Sequence, residues 1–222
     1  MGLPLDWSNG MPEPDGELPV PLSADFASSG RGPVVIEAVR RLSGLLGERV
    51  VVSAGVTGPI RLSRLSGGKV SAVEAVDFVL SAVRLLCEAG AKLIWVVEGE
   101  VPPENPDDLA SAMMPVWSSV AFYQGAGALH LAGAADGWEP VVSSDGPYLT
   151  CFDPEASPAL AGRFRSSGSF GLALPHGQPG EAARELASTG RCFLLTNDAE
   201  LAGVVAARDL RKVVIALRGA VE

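Results

Sequence analysis

The sequence predicts an α/β fold built on a parallel sheet. Six short apolar runs have the length and composition of buried strands, and helical patterns lie between most of them. Where both ends of a helix can be predicted, the apolar runs before and after it are separated by enough residues for a crossover between parallel strands. Right-handed crossovers leave two main architectures, an open doubly wound sheet or a barrel. No internal repeat separates the two.

The first predicted helix and strand follow the proline-rich start of the chain. Apolar residues recur at helical spacing between Pro33, which suits a first helical turn, and Gly47, which suits a stop. We therefore predict a helix over 33–46. The β-branched run at 50–54 predicts a buried strand, with a turn over 55–59.

A capping box marks the start of the second helix. Ser71 and Glu74 have the spacing at which each side chain satisfies a free backbone N–H of the other. The helix ends at Gly90, and its predicted apolar face consists of Val73, Val76, Leu80, Val83 and Cys87. A strand over 92–97 follows.

The same alternation continues to the end of the chain. A third helix begins at Pro106 and carries Leu109, Met113, Val116, Trp117 and Val120. Further strands are predicted at 128–131, 148–152, 170–174 and 192–196, and further helices at 180–188 and 210–217. Residues 1–32 are rich in proline and lack periodicity, which predicts an irregular arm before one α/β domain over 33–222.

Composition excludes several classes of function. The chain has 222 residues, 26 Asp+Glu against 17 Lys+Arg and a net charge of −9, so its field repels nucleic acid and anionic lipid. No apolar stretch has the length of a membrane span, and we expect a cytoplasmic protein. The three cysteines form no CxxC pair, which argues against disulfides and a cysteine-only zinc site.

Polar residues stand where the predicted strands end. In either architecture ligands bind beyond the carboxyl ends of parallel strands, so these residues are the candidates for a site. Two imidazoles with several carboxylates on one rim suit a divalent metal or separate acid and base roles. We predict the catalytic residues Glu98, His130, Asp153, His176 and Asp198, and the substrate-binding residues Thr57, Glu100 and Asn197.

Structural roles for the same residues remain open at this stage. Asp153 and Asp198 are equally suited to capping a following helix. His130 has apolar neighbours on both sides, as a hydrogen-bonded core histidine would. His176 also fits an exposed loop without a role.

Four strand segments and a closing helix carry a resemblance to a known superfamily. They are VSAGVTGP (52–59), LLCEAGAKLIWVVE (85–98), ALHLAG (128–133), FLLTND (193–198) and ARDLRKV (207–213). In order and spacing they resemble the uroporphyrinogen decarboxylase and cobalamin-independent methionine synthase superfamily. The resemblance implies a TIM-type barrel with its ligand site at the carboxyl rim.

The resemblance also implies that the barrel is incomplete. The matched segments are similar to the third to eighth barrel strands, so about six of eight are present. Exposed sheet edges are normally covered. We therefore expect the arm, a second copy in a homo-oligomer or a partner chain to complete the barrel.

The function implied by the resemblance is methyl transfer to a thiol, with a folate or corrinoid donor. The superfamily's zinc-dependent methyltransferases hold the metal with His-x-Cys on the fifth strand, and here His130-Leu131-Ala132 keeps only the imidazole. Zinc on His130 then needs substitute ligands, for which the candidates are His176, Asp153, Cys151 and Asp198. Glu98 stands where methionine-synthase-like members carry an acidic residue, and it would hold a substrate amine.

Two further functions stay open. One is a metal-free lyase of decarboxylase type, acting on a tetrapyrrole or another carboxylate, with the rim acids and histidines as proton donors. The other is a non-catalytic binding or partner subunit. All three readings require a small-molecule ligand or a partner chain.

Overall fold

The computed structural model of the chain describes residues 5–6, 13–14, 16, 22, 25–98, 104–131, 138, 148–152, 170–174 and 192–197. Its helices are α1 (Gly32–Leu46), α2 (Pro59–Leu65), α3 (Ala72–Glu88) and α4 (Pro106–Phe122). Its strands are β1 (Leu5–Asp6), β2 (Glu13–Pro14), β3 (Ser53–Thr57), β4 (Leu93–Glu98), β5 (Ala126–Leu131), β6 (Tyr148–Phe152), β7 (Phe170–Leu174) and β8 (Cys192–Asn197).

A parallel sheet of six strands organises the described residues. Its strands lie in chain order, β3-β4-β5-β6-β7-β8, and every neighbouring pair is parallel. A doubly wound sheet reverses its strand order at a switch point, and this sheet does not. The predicted α/β class is confirmed, and the winding is that of a barrel wall. Closure into a ring stays a prediction, because β3 and β8 end the sheet in the described part of the chain.

The described helices cover one face of β3, β4 and β5. Along β3 and β4 the buried residues alternate with more exposed ones, so Ala54, Val56, Ile94 and Val96 point toward the helix layer. Helix α3 lies at the centre of this layer and contacts α1, α2 and α4. Its residue Leu86 is fully buried, which contributes about 1.5–3 kcal/mol to stability.

Several predicted elements are confirmed. Helix α1 and strands β6 and β7 occupy the predicted residues to within one position. Helix α4 begins at Pro106 and buries all five predicted apolar residues. Strand β4 lies one residue later than predicted, β5 begins two residues earlier and β8 extends to Asn197. The predicted helices at 180–188 and 210–217 lie outside the described residues.

The first strand of the sheet begins later than the sequence predicts. Strand β3 spans Ser53–Thr57, so the predicted strand at 50–54 and turn at 55–59 are wrong, and Val50 and Val51 are exposed. The backbone N–H groups of Lys92 and Leu93 donate to Val52 O. Pairing between β3 and β4 begins next to this contact, with Ser53 opposite Leu93, and runs toward the carboxyl ends of both strands. Pairing with β4 therefore overrides local β-propensity.

The predicted face of α3 also needs a correction. Val73 is exposed and Leu80 only partly buried, whereas Ala75, Phe78 and Val79 are buried. Because α1, α2 and α4 all contact α3, its buried face is wider than one stripe.

The end of the N-terminal arm packs against the helices. The Phe26 ring meets the Phe78 ring edge-on at a centroid distance of 6.1 Å, and Leu22 also packs on the core. Nearer the start of the arm, β1 and β2 form a short antiparallel pair. The domain boundary at residue 32 stays a prediction. None of the described helices is long and apolar enough to cross a membrane.

Candidate functional site

A row of four residues lies across the carboxyl half of the sheet, on the face away from the helices. Thr57 pairs with Val97, Val97 with His130, and His130 with Cys151, each on the neighbouring parallel strand. Residues paired in this way point to the same face. We call Thr57, Val97, His130 and Cys151 the inner row.

His130 and Cys151 are the two residues of the inner row whose side chains carry an imidazole and a thiol. His130 is 6% exposed and Cys151 is fully buried. The His130 ring lies 6.1 Å from the ring of Trp95, which stands two residues before Val97 on the same face of β4. A nitrogen donor and a sulfur donor thus stand one strand apart in an environment with little access for water.

The other predicted site residues are only partly within the described chain. Thr57 is exposed and ends β3, at the open end of the inner row. Asn197 ends β8, at the position paired with Leu174 of β7. The residues outside the described chain are Glu100, Asp153, His176 and Asp198, and their roles stay predictions.

Glu98 lies on the opposite face of the sheet. Its carboxylate accepts hydrogen bonds from the backbone N–H groups of Ile60 (3.2 Å) and Arg61 (3.0 Å), at the start of α2. These are N–H groups that the first turn of a helix leaves unsatisfied. Gly58 makes this contact possible, because a Cβ at that position would overlap the Glu98 carboxyl group. Glu98 therefore caps α2 from the neighbouring strand.

Burial changes the acidity of Glu98. The side chain is 1% exposed, and desolvation raises its pKa from 4.5 to about 7. The two backbone donors and the charge of Arg61 act in the opposite direction without cancelling the effect of burial. A cavity that Glu98 lines measures about 20 Å³, the size of one water molecule, and most of its lining residues are apolar.

The predicted convergence of Glu98 and His130 on one rim is wrong in its geometry. Glu98 pairs with Leu131, and His130 with Val97, so the two side chains point to opposite faces. The expectation that ligands bind beyond the carboxyl ends of the strands identifies the correct edge of the sheet. It does not say to which face of the sheet each side chain points. A catalytic or amine-binding role for Glu98 stays a prediction, while its contact with α2 is structural.

The donor set for zinc is incomplete within the described residues, which contain no group of three His, Cys, Asp or Glu suited to a metal ion. The inner row supplies an imidazole and a thiol, the ligand types that zinc prefers. Cys87 differs, because it lies on α3 and burial raises its pKa to about 11. From the sequence, Cys151 is only a candidate substitute ligand, because strand register cannot be obtained from one sequence.

Two larger cavities lie away from the inner row. One of about 550 Å³ is at the amino ends of the strands, lined by the end of α1 and by Lys92. The other, of about 430 Å³, is a groove on the helix side, lined by Arg64 of α2, Ser71 before α3 and Asp108 of α4. Their volumes suit small ligands. Their lining carries no imidazole or thiol, so they do not share the chemistry of the inner row.

Comparison with solved structures finds relatives in fold, among them the following two. A methyltransferase from Methanosarcina mazei superposes with a TM-score of 0.69 at 20% identity, covering 99% of this chain and 76% of that one. A xylose isomerase domain containing protein from Salmonella typhimurium superposes with a TM-score of 0.53 at 16% identity, covering 82% and 80%. No protein-family model and no curated protein sequence matches the chain. At these identities the likeness shows a shared fold, of the TIM-barrel type.

Proposed function

We propose that this protein is a methyltransferase that transfers a methyl group to a thiol at the inner face of its sheet, with zinc held on His130. The observation that carries the proposal is the pairing of His130 with Cys151 on the inner face. The fold likeness to a methyltransferase supports the same reaction class. Both depend on a sheet wound in the order of a barrel.

The reaction needs a thiolate, which an ordinary thiol forms only in small amounts at neutral pH. Zinc, when bound, supplies the positive charge that favours the deprotonated form of the substrate thiol. His130 would provide a nitrogen ligand, and the Trp95 ring lies 6.1 Å from the imidazole ring. The thiolate sulfur forms a bond to the methyl carbon, the bond between that carbon and a folate or corrinoid donor breaks, and the donor keeps the electron pair.

The test is an assay of methyl transfer by the full chain. Methylcobalamin serves as the donor and 2-mercaptoethanol as the first of a panel of small thiols, and loss of the methyl group is followed by absorbance. We expect thiol-dependent demethylation that falls by more than about tenfold in a His130→Ala variant. The Met114→Ala variant, altered on the exposed side of α4, should retain the rate. The same assay with methyltetrahydrofolate tests the folate donor. Equal rates in all three proteins, or no methyl transfer from either donor to any thiol, would contradict the proposal.

A second candidate function is a subunit that associates with another copy of the chain. Seven of the ten large apolar side chains that are exposed in the described chain lie between the start of α1 and β3. We call this group the α1 patch, and it consists of Val34, Val35, Leu42, Leu45, Leu46, Val50 and Val51. It adjoins β3, which ends the described sheet. An exposed patch next to a strand edge is typical of an interaction site.

Charge favours a second copy as the occupant of this patch. Residues 31–51 contain four arginines and two glutamates, a net charge of +2, while the whole chain carries −9. The margin of the α1 patch is therefore basic, and the rest of another copy is strongly acidic.

Size-exclusion chromatography of the full chain, with light scattering to measure its mass, tests this association. We expect a dimer or larger species for the wild-type chain, and a monomer for a Leu42→Asp/Leu45→Asp variant. Phe122→Asp, a matched change at an exposed site on α4, should leave the mass unchanged. A wild-type chain that stays monomeric at high concentration would rule out self-association.

A further inference from the structure

We propose that the α1 patch of one copy binds a groove on the helix side of a second copy. This inference deepens the proposed self-association and rests on it, and it is independent of the proposed methyl transfer. The groove is the cavity of about 430 Å³ whose lining includes Arg64, Val73, Glu104 and Asp108, at the starts of α3 and α4. We call it the acidic groove.

The surface around the acidic groove carries the charge opposite to that of the α1 patch. Residues 71–77 and 104–108 contain five acidic residues and no basic one. Glu74 caps α3, and the other four are exposed and have no ion pair with any residue that the structure describes: Asp77, Glu104, Asp107 and Asp108. Arg64 also lines the groove and leaves this surface with a net charge of −4. These carboxylates are available to a basic partner.

Each of the two surfaces also contains an exposed apolar side chain. Leu45 is the most exposed member of the α1 patch, at 78%. Val73 lines the acidic groove and is 51% exposed, and it is one of three large apolar side chains that the described chain exposes outside the α1 patch. Removing both side chains from water favours a contact between them.

The same spacing of charged and apolar side chains occurs on both helices, with charges of opposite sign. On α1, Arg41 lies four residues before Leu45, and on α3, Asp77 lies four residues after Val73. Residues four apart are neighbours on the surface of a helix. In an antiparallel contact between α1 of one copy and α3 of another, Leu45 meets Val73 while Arg41 meets Asp77. Arg41 is available for this contact, because its ion pair with Glu37 is exposed and therefore weak.

The position of the two surfaces requires a second copy. Helices α1 and α3 each lead into the amino end of the next strand, so Leu45 lies near the amino ends of the strands and Val73 near their carboxyl ends. One copy cannot bring its own α1 patch to its own acidic groove. Contact between two α1 patches is disfavoured, because residues 31–51 carry a net charge of +2 in each copy.

Size-exclusion chromatography of the full chain, with light scattering, tests the acidic groove. Val73→Asp places a further negative charge where Leu45 would contact the groove, and we expect it to weaken self-association by more than about tenfold. Phe122→Asp is the matched control at an exposed site outside both surfaces, and it should associate like the wild type. A Val73→Asp chain that associates like the wild type would overturn the inference.

Mixing two variants protects this test against a folding defect. The Leu42→Asp/Leu45→Asp chain keeps its acidic groove, and the Val73→Asp chain keeps its α1 patch. We expect the equimolar mixture to form a one-to-one complex, although each variant alone is monomeric. A mixture in which both chains stay monomeric would show that the two surfaces do not bind each other.

An exchange of charges tests the pairing of Arg41 with Asp77. Arg41→Glu and Asp77→Arg should each weaken self-association, because each brings two like charges together. The chain that carries both substitutions should recover self-association, since the two charges have then changed places. The inference fails if the double variant associates no better than either single variant.

The inference and the proposed self-association fail in different ways. A wild-type chain that stays monomeric overturns self-association itself. A wild-type chain that associates, and still does so after Val73→Asp, overturns only the acidic groove as the binding surface.

Discussion

Glu98 shows how one buried carboxylate joins a strand to a helix. It ends β4, and its two oxygens accept from the first N–H groups of α2, beside a glycine whose missing side chain leaves the space. The backbone of Gly58 also donates to Val97 O at 2.7 Å, so the turn after β3 is fixed twice to the end of β4. This turn holds Thr57 at the open end of the inner row.

The raised pKa of Glu98 makes stability depend on pH near neutrality. The folded-state pKa is about 7 against 4.5 for an exposed glutamate, so folding favours the protonated form. The stabilisation is complete below pH 4.5 and is lost as pH rises through 7. At 1.36 kcal/mol per pKa unit, the free energy of unfolding should fall by up to about 3 kcal/mol over this range.

Denaturant unfolding at pH 5.5 and at pH 8.5 measures this effect. Glu98→Gln is the comparison, because its amide does not titrate and still offers one acceptor to α2. We expect the wild-type chain to lose more stability than the variant between the two pH values. Equal losses would show that Glu98 keeps an ordinary pKa in the folded protein.

The face of Glu98 could not be predicted from the sequence. Strand β4 is apolar at Trp95 and Val97 as well as at Ile94 and Val96, because both faces of the sheet are covered or half-covered. A strand of this kind has no polar alternation from which to assign a side. The position of Glu98 at a strand end was predictable, and its contact with α2 was not.

At the scale of elements, local signals that depend on a few neighbouring residues were reliable. The capping box at the start of α3 is present in full, with Ser71 N–H donating to Glu74 at 2.8 Å and Glu74 N–H donating to Ser71 Oγ at 3.2 Å. The start of α4 at Pro106 was equally clear. The start of β3 was missed because the ladder with β4, a long-range interaction, decides where the strand begins.

Removing the cap should destabilise α3 and the layer built around it. Ser71→Ala leaves the N–H of Glu74 without its acceptor and should cost about 1 kcal/mol of unfolding free energy. Ser118→Ala, an exposed position inside α4, is the control, and it should have no effect or stabilise slightly because alanine favours helix interiors. A Ser71→Ala chain as stable as the wild type would show that the cap adds nothing to the folded state.

At the scale of the whole molecule, the alternation of helices and strands in the sequence predicts the α/β class. It does not decide between an open doubly wound sheet and a barrel. That choice depends on which strands are neighbours, and the structure supplies it as an unbroken parallel order from β3 to β8. The same order brings His130 beside Cys151, two residues that are 21 positions apart in sequence. The place of His130 near a strand end is visible in the sequence, whereas the inner row follows only from the strand register.

Metal content tests the central claim most directly, namely that His130 on the inner face holds a zinc ion. The purified chain is equilibrated with zinc, freed of excess by dialysis and analysed for metal, beside His130→Ala and the surface control Met114→Ala. The account predicts about one zinc per chain in the wild type and in the control, and none in His130→Ala. A wild-type chain without zinc, or a His130→Ala chain that retains it, would contradict the account.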